Sequence, residues 1–264
     1  MLDKIYATVV YLQRDFPQTA NIDGIDYEIY LKPIGKEVFI PQTIKKLGTG
    51  FLIGDGDLLF LVTAQHVASQ MRRDSLATLR ASEDRPITFT LAKLSGIAGE
   101  LKWVQHDKAD VAVLLLHPDS DVMPHLKEHF LPKEMVSVKL EAPSRELPLT
   151  TIGFPLGLGV QERFSPISRE SKPASGLLTI PRFDTKQIAI FYLLDNPSIG
   201  GFSGAPIFEI PGAHSSQGGL VIGGRLACVG LIHGTFSDDT GGKLGAVVPS
   251  AFIIETIDKA KAGR

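Results

Sequence analysis

The stretch Asn196 to Phe208, NPSIGGFSGAPIF, constrains this chain more than any other. At its centre Gly201-Phe202-Ser203-Gly204 holds a hydroxyl among residues that let the backbone turn sharply and approach a ligand closely. A serine alcohol attacks a carbonyl effectively only when a base takes its proton and N–H donors meet the oxyanion that forms. Glycines beside Ser203 leave backbone N–H groups able to point at such an oxygen. Gly/Ser-rich turns are also common on surfaces, so partners elsewhere in the chain decide what the hydroxyl does.

The surrounding pattern is one of short β-branched and aromatic runs separated by Gly, Pro, Asn and Asp, which predicts strands joined by turns. The expected strands are Ile5–Leu12, Tyr27–Leu31, Val38–Ile40, Gly50–Ile53, Leu58–Val62, Ile87–Ala92 and Val111–Leu116. A second series covers Val136–Leu140, Leu149–Gly153, Gly176–Ile180, Ile188–Leu194, Ala205–Phe208, Leu226–Ile232 and Leu244–Val248. From Ser250 to Ala262, Phe252, Ile253, Ile254 and Ile257 alternate with charged residues in the manner of an amphipathic helix. The polar connection His117 to Glu134 divides the two series. The expected architecture is all-β, two six-stranded Greek-key barrels with a C-terminal α-helix, as domains 1–125 and 126–264.

Composition excludes several classes. With 264 residues and 44% hydrophobic content, the chain can bury a large core. Its formal net charge of −2 and isolated basic pairs favour neither nucleic acid nor an anionic membrane. Apolar runs such as Leu58 to Ala64 have the length of strands, not membrane spans. The opening MLDKIYATVVYLQRD carries Asp3 and Thr8 and no small-residue cleavage site, so it reads as a strand rather than a signal peptide. The sole cysteine, Cys228, allows no intrachain disulfide and lies in an apolar run, as a buried thiol would; the chain reads as cytoplasmic.

His125-Leu126-Lys127-Glu128-His129 matches the H-x-x-E-H zinc pattern. Pro124 and Pro132 confine any helix there to about two turns, so a solvated turn is expected, with no metal and no cofactor.

For the base, His66 stands out. It follows the buried strand Leu58–Val62 on a short helical turn, Thr63 to Ala68, fixed yet open to a cleft. A partly buried structural histidine is the alternative. An imidazole base is oriented by a carboxylate at its other nitrogen, and Asp110 opens the apolar strand that runs to Leu116. Asp107 and His106 lie close by, but neither directly precedes that strand.

Three segments in this order resemble the chymotrypsin-like, trypsin-fold serine peptidases, in particular their bacterial and intracellular branch. Thr63-Ala64 and His66 match the family's T-A-x-H, Asp110-Val111-Ala112 its aspartate strand, and Gly201 to Pro206 its G-x-S-G-G-P; Gly153 to Gly157 matches a G-[YFN]-P-x-G segment of bacterial members. The resemblance implies that Ser203 attacks a peptide carbonyl, His66 takes and returns the proton, Asp110 orients His66, and the N–H groups of Gly201 and Ser203 form the oxyanion hole. It implies substrate contacts at Pro197, Ser198, Ile232, His233 and Gly234, on a peptide added as an extended strand along Val229 to Phe236. The chain departs from the secreted members at Phe202, where they carry an aspartate that pairs with a newly cut N-terminus, and at Ala205, where they carry glycine.

The α/β-hydrolase order fails, because no acidic residue other than Glu209 lies between Ser203 and His214. Expected partners are a protein or peptide substrate and an unspecified regulatory partner. A silent or ligand-gated binding module and an esterase on the same nucleophile are the competing readings.

Overall fold

The computed structural model describes residues 2–23, 25–34, 38–127, 129–216, 219–223 and 225–263. Two antiparallel sheets dominate it. In the first, hydrogen-bonded neighbours run in the order Val104–Gln105, Ala112–Leu116, Leu58–Thr63, Thr43–Asp55, Val9–Pro17, Leu76–Arg80 and Pro86–Thr90, and Leu131–Pro132 pairs in parallel with Thr43–Asp55. In the second the order is Ile167–Ser171, Leu149–Gly153, Pro206–Glu209, Ala227–Ser237, Lys243–Pro249, Ile188–Leu194 and Leu178–Pro181. Eight and seven strands take the place of the expected six and six. Each ladder is an open path among the described residues, so backbone pairing does not close either barrel. The all-β, two-part architecture with a final helix stands, with that helix at Ala251–Ala262.

The strands form where alternation or continuous burial supports them. Ala112–Leu116 and the buried run 60–62 of Leu58–Thr63 are apolar throughout because both of their faces are covered. A core cluster spans the sheets, joining Phe51, Phe60 and Val113 of the first to Phe191, Phe208 and Leu231 of the second, and takes in Ile253 and Ile257 of the terminal helix. A second cluster gathers Tyr192, Phe202, Ala205, Ile207 and Val247 behind the Ser203 loop.

Several expectations are corrected. The N-terminal segment is a helix, Leu2–Thr8, before it becomes the strand Val9–Pro17. Asp3 suits a helix N-terminus, and the β-branched pair Val9-Val10 marks the change. Thr90 accepts from the Lys93 N–H and caps a short helix, Leu91–Ser95, so the expected strand Ile87–Ala92 ends early. Val136–Leu140 supplies only a bridge from Val136 to Cys228, and Val138 points outward. The strand expected at Gly50–Ile53 is longer, Thr43–Asp55. The connection His117 to Glu134 is not bare linker: it buries Val122 and Leu126 and lends Leu131–Pro132 to the first sheet. Within it His129 Nδ1 lies 2.8 Å from the His125 carbonyl, and Glu128 lies outside the described residues.

Candidate active site

Strand pairing brings His66 and Asp110 together. Leu58–Thr63 ends and Ala112–Leu116 begins at the register pair Thr63 and Ala112, so the residues just beyond those ends are neighbours. The chain leaves Thr63 into the turn Gln65–Ala68, closed by the Val67 and Ala68 N–H groups donating to the Ala64 carbonyl. His66 Nδ1 then lies 2.7 Å from Asp110 Oδ2, and the His66 backbone N–H donates to Asp110 Oδ1 at 3.0 Å. Asp110 is wholly buried, whereas the His66 side chain keeps 17% exposure. Ionised Asp110 can only accept, so His66 carries its proton at Nδ1 and leaves the Nε2 lone pair free.

Burial alone would push the Asp110 carboxyl up, but hydrogen bonds from His233 and then His66 outweigh it and hold the group well below the usual carboxylate range. His233 Nδ1 approaches Asp110 Oδ2 at 2.5 Å, and Arg182 Nη2 donates to Oδ1 at 2.8 Å. His66, Asp110 and His233 each offer an atom a cation could use, all within 4.8 Å of one another. Those atoms are already in hydrogen-bond contact and Arg182 adds a cation to the same carboxylate, so proton sharing accounts for the cluster.

The Ser203 loop is pinned from both sheets. The Leu156 N–H donates to the Gly200 carbonyl at 2.7 Å, and because the peptide is planar and trans this turns the Gly201 N–H to the opposite side. Thr49 Oγ1 donates to the Gly201 carbonyl at 2.7 Å, and the Thr49 N–H donates to the Ser203 carbonyl at 2.9 Å. Gly201 has φ +100, and a Cβ there would stand 2.5 Å from the Phe154 carbonyl oxygen, so glycine is required. Among the described residues the N–H groups of Gly201 and Ser203 have no protein acceptor. The Ser203 hydroxyl donates to the His233 carbonyl at 3.3 Å rather than to His66.

The other expected site residues separate. Pro197, Ser198 and Ile232 line a nearly filled cleft with Arg169, Leu194 and Phe202. Arg169 Nη1 donates to the Pro197 carbonyl at 2.7 Å, and Thr235 Oγ1 to the Ser198 carbonyl at 3.0 Å. Gly234 lies under the Phe183 ring, where a Cβ would meet that ring at 2.5 Å. His233 is fully buried with its ring on Asp110, because a bulge between Ile232 and Gly234 takes it out of the ladder. Its side chain therefore lies behind the cleft instead of on its wall. Sequence reasoning missed Thr49 and Arg182 and gave Leu156 only as part of the Gly153 to Gly157 match; the G-T-G of Gly48 to Gly50 was the local signal for a close backbone approach at Thr49.

Known structures share this fold at low identity. The MamO protease domain from Magnetospirillum magneticum, in its apo form, aligns with a TM-score of 0.53 at 14% identity over 97% of this chain and 98% of that one. The HtrA-type protease AlgW, with a decapeptide, aligns at 0.57 and 14% identity over 100% of this chain and 66% of that one. The human heparin binding protein aligns at 0.50 and 12% identity over 97% and 92%. No curated protein matches the sequence significantly. A family profile, the trypsin-like peptidase domain, matches residues 48–213, which run from the strand carrying Thr49 past the Ser203 loop. The chain belongs to the trypsin-like peptidase domain family.

Proposed function

We propose that the chain is a serine endopeptidase in which Ser203 is the nucleophile, His66 the base and Asp110 the group that orients it. The observation that carries this reading is the 2.7 Å contact between buried Asp110 and His66 Nδ1, which leaves Nε2 free to take a proton. Ser203 Oγ rotates from the His233 carbonyl towards His66, gives its proton to Nε2, and bonds to the substrate carbonyl carbon. The N–H groups of Gly201 and Ser203 receive the oxyanion; losing one such donor typically costs on the order of 10²–10³ in rate. The His66 imidazolium returns its proton to the leaving amine, and water repeats the sequence on the acyl-enzyme.

In this reading the substrate is a protein or peptide lying along the strand Ala227–Ser237, with Pro197, Ser198, Ile232 and Gly234 beside it. A cytoplasmic setting belongs to the same proposal, because Cys228 is buried and unpaired and the fold uses no disulfide. No helix among the described residues is long and apolar enough to cross a membrane.

A serine-directed fluorophosphonate tests the reading on the wild type, Ser203→Ala and His66→Ala across pH. Labelling should need both residues and decline as pH falls through roughly 6–7, where an imidazole base protonates. The hydrogen bond from Ser203 to the His233 carbonyl favours one second reading, a trypsin-fold module that is silent or switched on by a ligand. A folded wild type that resists labelling supports that module and removes the peptidase.

A further inference from the structure

The hairpin between Leu178–Pro181 and Ile188–Leu194 carries Arg182-Phe183-Asp184 at its start. It is closed by the Arg182 N–H on the Gln187 carbonyl at 2.8 Å and the Lys186 N–H on the Arg182 carbonyl at 3.1 Å. An arginine at such a place normally lies in water, yet this side chain is 3% exposed. Its guanidinium turns inward and makes four hydrogen bonds. Nε and Nη2 grip Asp184 at 2.9 and 2.6 Å, Nη1 donates to Gln65 Oε1 at 2.6 Å, and Nη2 also reaches Asp110.

Asp110 thus answers to both His66 and Arg182. The remaining titratable group against it is His233, whose ring lies between Phe183 and Phe191, at centroid distances of 4.3 and 4.9 Å. His233 Nε2 is buried without a partner, and its Nδ1 faces the Asp110 carboxylate, which can only accept, so Nδ1 carries a proton. Asp184 stands behind Arg182, and Gln65 is uncharged. Of the ionisable side chains in contact with the carboxylate, His66 alone keeps appreciable exposure, 17% against 3% for Arg182 and none for His233.

We propose that Arg182 is a positioning residue which, by sharing Asp110 with His66, weakens the hold of His66 on a proton and keeps that histidine a free base at lower pH. The proposal rests on His66 being the base. Without Arg182 the full carboxylate charge faces the imidazole and favours its protonated form; without Asp184 the uncompensated guanidinium opposes it.

The test is a proton-NMR titration of His66 Cε1–H in the intact protein, assigned with His66→Asn, for the wild type, Arg182→Gln, Arg182→Lys and Asp184→Asn. Arg182→Gln should raise the His66 midpoint by about one pH unit, a tenfold change in proton affinity. Arg182→Lys should bring it back towards the wild type, and Asp184→Asn should lower it. The pH at which fluorophosphonate labelling reaches half its plateau should move with the midpoint. An unchanged midpoint in Arg182→Gln, or a shift of the same sign in Asp184→Asn, overturns the proposal. So does a uniform loss of labelling with a fixed midpoint, which is what mere structural damage produces. If Arg182→Gln does not fold, Asp184→Asn decides by its sign alone. The NMR midpoints need no catalysis, so absent labelling would remove the peptidase reading without obscuring this one.

Discussion

Thr49 Oγ1 and the Gly201 carbonyl are joined by a buried 2.7 Å hydrogen bond between residues 152 apart. The same hydroxyl accepts the Phe154 N–H at 3.1 Å, so one side chain on the first sheet ties together two loops of the second. Thr49→Val keeps the shape and strands the Gly201 carbonyl and the Phe154 N–H in a dry site, at a cost of about 1–3 kcal/mol for each group. Urea unfolding should show that loss, and fluorophosphonate labelling of Ser203 should slow with it. Full-speed labelling in a destabilised Thr49→Val protein would show that the Leu156 contact and the backbone N–H of residue 49 hold the loop without the hydroxyl.

Asp110→Asn keeps the volume and removes the charge. Arg182 is left buried without one of its counter-charges, and breaking a buried pair costs about 3–5 kcal/mol. The amide also no longer enforces the His66 tautomer, so labelling should fall by about 10⁴. Adding Arg182→Met should recover stability in urea but not labelling. Recovery of both would mean that Asp110 acts on the fold and not on His66.

Asp110 also fixes the acid limb of stability. Its carboxyl is held below the usual range, against burial, by His233 and His66. A group whose folded value is lowered contributes stability that is complete above its unfolded value of about 4 and is lost as pH falls from there through the folded value. Urea midpoints should therefore drop below pH ~4 in the wild type. In Asp110→Asn that limb should be shallower, and an equally steep one would place the linked proton on another carboxylate.

Gly204 has φ +82, and a Cβ there would collide with the Thr49 carbonyl and Thr63 Oγ1 and stand 2.8 Å from the Ala64 N. Gly204→Ala should cost about 3 kcal/mol or prevent folding. At Gly200 a Cβ meets nothing within 4 Å and the backbone is not left-handed, so Gly200→Ala should stay within about 0.5 kcal/mol. Thermal unfolding of the pair gives the contrast directly.

Burial pushes the Cys228 thiol up to about 12. Iodoacetamide at pH 8 should leave the native protein unmodified and alkylate it fully in urea, as mass spectrometry would show. Rapid native alkylation would mean that the Val136 bridge over Cys228 opens.

What could be read from the chain followed one rule: a residue whose meaning lies in its own neighbourhood was visible. His66 and Asp110 each border an apolar strand, and that border is where pairing put them side by side. Ser203 announced itself through its glycines. Arg182 could not do so, because Pro181 to Lys186 reads as a polar hairpin tip, and the partner that turns it inward is 72 residues away. Thr49 fell just outside the strand expected at Gly50–Ile53, and its partners Gly201 and Phe154 are 152 and 105 residues away. His233 was placed among the substrate contacts by the resemblance alone, and at a single bulge in the strand its ring meets Asp110 instead. The N-terminal helix was hidden because Ile5 to Leu12 is β-branched and apolar enough to suit a strand, and the helix occupies only its first half.

The bond between Thr49 and Gly201 also says something about time. Contacts between residues so far apart are made late, since the chain must first give up the freedom of the whole intervening loop. The strand from Thr43 can pair with its neighbours and bury Phe51 while the Gly201 loop is still unformed. Leu156 can fix the Gly200 carbonyl within the second half of the chain, but the bond from Thr49 to the Gly201 carbonyl forms only when the sheets dock. A chain whose sheets have not docked therefore lacks the hold that Thr49 places on the Ser203 loop.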